Sequence, residues 1–549
     1  MPITRSLLNR QITYSEAKEV ETKNILQELT YVTLAASFRD HLAKNSATIK
    51  AIVAHHLYLA PESCRIDISD HTEWINGSFN LCVPVSVQFQ NQKARRRFVM
   101  RFPLPYKVAG PANGDEKIRC EAATYAWLNL ECPSIPTTCL HGFGLSTGQG
   151  FTAIGNAPLW TRCFQYLKRR ILTFFRHPVP CQYMNHQTLI AGNTLGIGYL
   201  LLDYVDDGEM LSQLYADQNH DTILRTNLFR DLAKIQLTLL QKPFPRIGSL
   251  AINDDAVLTL NNRPLTLEVC QLANNKIPVD TVMPQGTTYS TVDTYVHDIL
   301  SLHDARLRHQ PNGASSMQDC ISQMCALATM RTVYPDFFDR RLRSGPFVLT
   351  LTDMHTSNFF VDDEWHITKL LDLEWACIRP VEMQHPPYWL TSQTVDRIDE
   401  VRYGQMCSEF IGIFEQEEKK MATITQGGHG NGKNNMTVLG NGMAPSFTSY
   451  AELLKHLWKQ GTFWYSLALD SPTGLHHVFY NRIKPKYRTP HDKDSEKEID
   501  EFDLAFYTST PMFWSRNALR FIATKDDAKK RYDEQLLQAF QAPFPLKEI

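Results

Sequence analysis

The first stretch of the chain places apolar residues at helical spacing. "YSEAKEVETKNILQELTYVTLAASFRDHLAKNSATIKAIVAHHL" has few breakers, and it predicts helices over residues 15–60. The texture changes near residue 65. "GSFNLCVPVSVQFQ" (77–90) alternates with period two, and "RFVMRFPLP" (97–105) follows a polar "NQKARR" turn, so the two runs predict a β-hairpin. A Gly/Pro-rich loop, "PYKVAGPANGDEK", leads into a helix predicted for "EKIRCEAATYAWLNLE" (116–131). "IPTTCLHGFG" and "GIGYLLLDYV" (196–205) predict further strands. From about residue 206 the pattern is helical over 222–241, 288–309, 315–335, 394–421, 448–467 and 525–540, interrupted at 347–376 by two short apolar runs that predict strands. The Gly- and Asn-rich segment 423–443 predicts a flexible surface loop. Its glycines do not sit between a strand and a helix, so it is not read as a phosphate loop.

This order predicts an α+β chain of two lobes: a helical N-terminal extension (1–64), a small β-rich N-lobe (65–205) and a large, mostly helical C-lobe (206–549). A length of 549 residues exceeds what one core usually serves, and a cleft between lobes is a common ligand site. A basic, amphipathic helical insert is predicted near 159–190, with "LWTRCFQYLKRRILTFFRH" at 159–177. It reads either as a membrane-surface or partner helix or as a surface helix packed on its own domain.

Composition narrows the function classes. Hydrophobic residues are 43 % and charged residues 21 %, with a net charge of −2, so no global field favours nucleic acid or an anionic membrane. Twelve cysteines are scattered without a C-x-x-C pair, which argues against a disulfide framework or a structural zinc site. No apolar run is long enough to span a bilayer, and no partner protein is identifiable. Arg5 and Arg10 give the N-terminus a faint mitochondrial character that Glu16, Glu19 and Glu21 interrupt. A cytoplasmic location is expected ahead of a mitochondrial one.

The chemistry concentrates in "FVLTLTDMHTSNFFVDDEWHITKLLDLEWA" (347–376). Asp353 ends one apolar run, Asn358 follows five residues later, and Asp372 ends a second run. Phosphoryl transfer asks a protein for positioned phosphates, metal ions and a carboxylate beside the attacking hydroxyl. Asp353 could accept a proton from that hydroxyl, while Asn358 and Asp372 offer oxygens to Mg²⁺. The two aspartates could equally terminate strands at ordinary turns. With His355 they could also suggest a metal hydrolase, although no second histidine has a useful spacing. Gly77, Ser78 and Asn80 form a turn whose N–H groups could meet phosphates, or a plain hairpin turn. Arg101, on an apolar strand, needs either a partner or a route to solvent, and Glu121 on the next helix could brace it. Lys107 and Lys117 are reserve cations. "LLLDYVDDGEML" (200–211) would be the connecting segment of a two-lobed enzyme, and its backbone could hydrogen-bond an adenine ring.

These pieces resemble the aminoglycoside phosphotransferase and choline-kinase-like branch of the protein-kinase-like fold, and more narrowly its fungal phosphotransferase group. The resemblance rests on "NGSFNLCVPV", "FVMRFPLP", "EKIRCEAATYAWL", "GYLLLDYV", "LTLTDMHTSNFFVDDEWHITKLLDLEWA" and "VEMQHPPYWL", within about residues 65 to 420. It implies ATP and Mg²⁺ as cofactors and a small-molecule hydroxyl acceptor, with Asp353 catalytic, Asn358 and Asp372 binding metal, and Glu121 bracing the phosphate-binding cation. It further implies that Gly77 to Asn80 cover the nucleotide and that Asp203 to Val205 form the hinge. Two departures stand out: Leu351 replaces a histidine, and Arg101 stands where lysine is usual, a geometrically different phosphate ligand. A catalytically weak, kinase-like binding protein is therefore the alternative. Asp206, Asp207, Glu209, Glu374 and Glu382 read as ordinary surface acids. Tyr388 and Trp389 read as a pocket wall or as core.

Overall fold

The computed structural model describes residues 3–60, 64–89, 95–187, 195–427, 447–471, 473–487 and 501–542. Residues 91–94 of the expected polar turn, 188–190 of the insert and 428–443 of the Gly/Asn-rich segment lie outside them. The chain is a mixed α+β structure whose sheets are antiparallel.

Alternation along the strands explains how the largest sheet sits in the molecule. In spatial order it runs Cys64–Ile68, Asn80–Phe89, Arg95–Pro103, Tyr199–Asp203, Leu140–Gly144, Gly150–Ala153 and Tyr183–His186, with Ile75–Asn76 also paired to Asn80–Phe89. Successive side chains point to opposite faces. Val83, Val85, Val87, Phe98, Met100, Phe102 and Leu201 therefore share one core, with Phe38, Leu42, Ile49, Ile52 and Val53 from the helices Tyr31–Lys44 and Ser46–His56. Leu200 and Leu202 face the other way, into the core that holds the helix Pro111–Glu131 and the helical remainder of the chain. That helix begins inside the stretch expected to be loop, because Pro111 suits the first helical turn.

The segment 347–380 holds four strands where the sequence suggests two. Phe347–Leu351 pairs with Ala376–Pro380, and Phe359–Val361 pairs with Ile367–Leu370. The two aspartate-ended runs thus belong to different ribbons. The helix expected over 448–467 is broken at Gly461, whose φ of 85° ends Tyr450–Gln460 before Thr462–Asp470 begins. Glu400–Gly427 runs past its expected end into the Gly/Asn-rich segment.

The N-terminal stretch starts as a ribbon, Thr4–Ser6 with Gln11–Thr13. Ile12, Ala17 and Ile25 pack against Tyr532, Leu536 and Phe540 of the helix Ala518–Gln541. The Tyr532 hydroxyl accepts from the Ile25 N–H at 2.9 Å.

Inside the sheet, buried His56 bonds Thr152 at 2.8 Å and the Tyr199 hydroxyl at 3.0 Å. Its ring lies over Gly142 so closely that a Cβ there would collide with it. Gly142→Ala is expected to destabilise the protein by about 1–3 kcal/mol through overpacking. Adding His56→Ala should make the loss clearly less than additive, read by denaturant unfolding of both single variants and the double variant.

Candidate active site

Period two turns Arg101 away from Phe98, Met100 and Phe102, towards the helix Pro111–Glu131. On that helix Lys117 and Glu121 are four residues apart and share a face. The turn after Ile367–Leu370 carries Asp372 and Glu374 to the same place. Asp372 holds a left-handed φ of 58°, a conformation that aspartate tolerates better than most residues and that often marks functional turns.

Here Arg101, only 6 % exposed, touches three carboxylates: Glu121 at 2.6 Å, Asp372 at 2.6 Å and Glu374 at 2.9 Å. Lys117, 1 % exposed, donates to Glu374 at 2.5 Å and to the Asn80 side-chain oxygen at 2.7 Å. Asn80 in turn donates to Glu374 at 2.6 Å. Glu374 is therefore the acceptor at the centre of the cluster, not an ordinary surface acid. Lys117 is a second buried cation rather than a loop reserve. Neither role was visible along the chain, although the i, i+4 pairing with Glu121 was a signal that could have promoted Lys117. Lys107 stays apart, over the Tyr31 ring at 4.8 Å.

Asp353 follows Phe347–Leu351, and its backbone carbonyl accepts from the Asn358 side-chain nitrogen at 2.7 Å. That bond leaves the Asn358 carbonyl oxygen as its remaining ligand atom. Burial, then the nearby charges of Asp372 and Glu374, push the Asp353 carboxyl up to about 7 against the pull of Arg101. Burial also raises Asp372 and lifts Glu121 to about 7. One Glu121 oxygen is buried without a hydrogen-bond partner. Burial would raise Glu374 as well, but Lys117 and Arg101 outweigh it and hold that group low.

Two buried cations thus lie among Glu121, Asp353, Asp372 and Glu374, and burial is the main cause of the raised carboxyls of Asp353, Asp372 and Glu121. The donors here that a divalent cation could use are the Asp372 carboxylate, which also meets Arg101, and the Asn358 oxygen. Among the described residues neither His355 nor Asp353 nor Asp372 joins a group of three His, Cys, Asp or Glu side chains close enough to share a metal. The group that does form is Cys139, His141 and Asp203. There burial opposes charging His141, but Asp203 at 2.8 Å and Cys139 outweigh it and raise the imidazole to about 9. A His–Asp ion pair accounts for that arrangement without a metal.

The other expected positions are spread around the cluster. Gly77 and Ser78 are exposed at the tip of the turn joining Ile75–Asn76 to Asn80–Phe89. Asn80, three residues on, is buried and faces Glu374 and Lys117. The Asp203 N–H bonds the Cys139 carbonyl at 3.0 Å and the Tyr204 N–H bonds the Arg97 carbonyl at 3.1 Å, so neither is open to a ring ligand. Val205 is the one of the three hinge positions with no such bond among the described residues. Arg97 also lies 3.6 Å over the Tyr204 ring and pairs with Asp206 at 2.5 Å. Asp206, Asp207 and Glu209 are exposed, whereas Glu382 is buried and accepts from the Asp339 N–H at 2.6 Å.

Beside Asp353 lies a cavity of about 240 Å³, with Leu239, Leu349, Leu351, Met383 and Tyr388 among its walls. Trp389 is core instead: its indole N–H bonds the Met354 carbonyl at 2.6 Å.

No family model matches the chain, and no curated protein matches it. Among solved structures it is similar to a choline kinase from Cryptosporidium parvum Iowa II, at 10 % identity over 90 % of this chain and 99 % of that one. The TM-score is 0.28, an overlap too small to identify a shared fold.

Lys117→Met leaves Glu374 with one cation in place of two and is expected to cost about 3–5 kcal/mol. Lys117→Met with Glu374→Gln should recover part of that loss, measured by chemical denaturation. For Asp353 the folded protein keeps a proton between pH 4 and 7 that the unfolded chain has released, so its ionisation lowers stability as pH rises through that window. Asp353→Asn should therefore raise the melting temperature at pH 8, by about 1–2 °C, and change it little at pH 4.

Proposed function

We propose that this chain is a Mg²⁺- and ATP-dependent phosphotransferase that moves a phosphoryl group to a hydroxyl of a small molecule. It would be built as a two-lobed, kinase-like enzyme with a β-rich lobe at 65–205 and a helical lobe at 206–549. The observation that carries this reading is the ion pair of Asp372 with buried Arg101, together with Asn358 bonded to the backbone of Asp353 and a cavity that Asp353 lines. Metal-bound ATP would supply the transferable phosphoryl group.

Each residue has a task in that scheme. Asp353, with a carboxyl near 7, is partly ionised at neutral pH and can take the proton of an acceptor hydroxyl entering from the cavity. Asp372 and the Asn358 oxygen would hold the metal, and Asn358 also ties its turn to the Asp353 backbone. Glu121 and Glu374 keep the Arg101 guanidinium in one orientation, where its delocalised charge can face phosphate oxygens. At the turn tip the Gly77 N–H already bonds the Asn80 carbonyl at 2.8 Å, so Ser78 would offer the backbone N–H on the sheet side, and Val205 would offer a hinge contact. Leu351 replaces a polar brace with an apolar cavity wall.

A specific observation favours a second reading, a nucleotide-binding protein without turnover. Three carboxylates already occupy Arg101, and phosphate would have to compete with them.

Thermal shift with Mg²⁺ and ATP separates these readings. Wild type is expected to be stabilised only when metal is present, by about 2.7 kcal/mol at a hundredfold excess over Kd. Asp372→Ala should abolish the shift and Asp353→Asn should keep most of it while losing transfer to hydroxyl acceptors. No shift at millimolar nucleotide overturns the proposal. A shift without transfer across a broad hydroxyl panel assigns the second reading.

A further inference from the structure

The helix Leu159–Phe174 is mounted with its apolar face outward. Trp160, Phe164, Leu167, Ile171 and Phe174 recur at spacings of four and three residues, which puts them on one stripe. They are 47–81 % exposed, and no residue of the helix is buried. Thr161, Gln165, Arg169 and Leu172, on the opposite side, are the half-buried positions. Polar groups make the attachment: Arg169 donates to the Pro180 carbonyl at 2.8 Å and Arg162 to the Ala157 carbonyl at 2.7 Å. The helix packs on its own domain through these half-buried positions and leaves its apolar stripe outward. A surface helix normally buries that face, so an apolar stripe of this size marks an interaction site.

Charge decides what covers it. Residues 159–177 carry Arg162, Lys168, Arg169, Arg170 and Arg176 and no carboxylate. At roughly 100° per residue, Lys168 and Arg170 flank the stripe on either side, where their stems can lie along apolar surface and their heads can reach anionic groups. Tyr166 and Trp160 add the amphipathic rings that settle at a bilayer interface. A second copy of the chain would set one all-cationic border against another. An anionic bilayer supplies both the apolar depth and the negative charge. The net charge of −2 shows that this attraction is local to the insert.

We propose that Leu159–Phe174 is a peripheral membrane anchor that seats its Trp160–Phe174 stripe in an anionic lipid surface. The insert leaves from the Gly150–Ala153 strand and returns to Tyr183–His186, at the margin of the main sheet and several strands from Arg101. Its anchoring therefore does not depend on the proposed phosphotransfer. The contact is reversible, since a single amphipathic helix without a lipid chain gives exchangeable binding.

Co-sedimentation with vesicles tests it. The full chain should bind phosphatidylcholine vesicles containing phosphatidylserine, bind pure phosphatidylcholine vesicles about tenfold less, and release as salt rises. Phe164→Glu with Ile171→Glu, both on the exposed stripe, should remove binding with the melting temperature unchanged. Lys168→Glu with Arg170→Glu should weaken it on anionic vesicles only. Equal binding by wild type and the Phe164/Ile171 variant overturns the proposal, as does absence of binding to anionic vesicles. A lipid-free dimer that the same variant dissociates overturns it in favour of a contact between copies.

Discussion

Arg101 holds the centre of this molecule together. Its guanidinium bonds Glu121 from the sheet-side helix and Asp372 and Glu374 from the turn after Ile367–Leu370, so three separately folded elements meet on one cation. Removing such charges from water costs several kcal/mol per ion, and the cost is met only when every partner is in place. Lys117 and Asn80 complete the set by filling the remaining demand of Glu374. The cluster ties the register of Arg95–Pro103 to the position of Asp372.

In the proposed phosphotransfer the same cluster would prepare the chemistry. Because Asp353 is largely buried, with the charges of Asp372 and Glu374 nearby, it keeps an affinity for protons near neutrality. A group that must accept a proton from a weakly acidic hydroxyl benefits from that setting more than one held at an ordinary carboxylate value. The left-handed Asp372 belongs to the same arrangement, since its backbone turn is what lets the side chain reach Arg101 directly after a strand.

Much of the secondary structure could be read along the chain because its signals are local. Alternation marks Asn80–Phe89 and Arg95–Pro103, and helical spacing marks Pro111–Glu131 and Thr222–Leu240. A carboxylate partner for Arg101 was arguable from one fact, that an arginine among apolar strand residues must be answered. Glu374 and Lys117 were not legible, because only tertiary packing decides which charged residues of a helix or a turn lose their water. The pairing within 347–380 was hidden for the same reason: Phe347–Leu351 finds its partner in Ala376–Pro380, past an intervening ribbon. The outward stripe at 159–174 has the periodicity of a core helix, and periodicity does not say which side of a helix faces inward.

The contact between the two ends of the chain has a consequence for its biosynthesis. Ile25 and Tyr532 are 507 positions apart, so the segment holding Ile12, Ala17 and Ile25 emerges from the ribosome long before the helix Ala518–Gln541 that covers it. At roughly 5–20 residues per second that interval is on the order of half a minute to two minutes. Throughout it those apolar side chains lack their final cover. The helix Ala518–Gln541 acts as the latch that finally covers that segment.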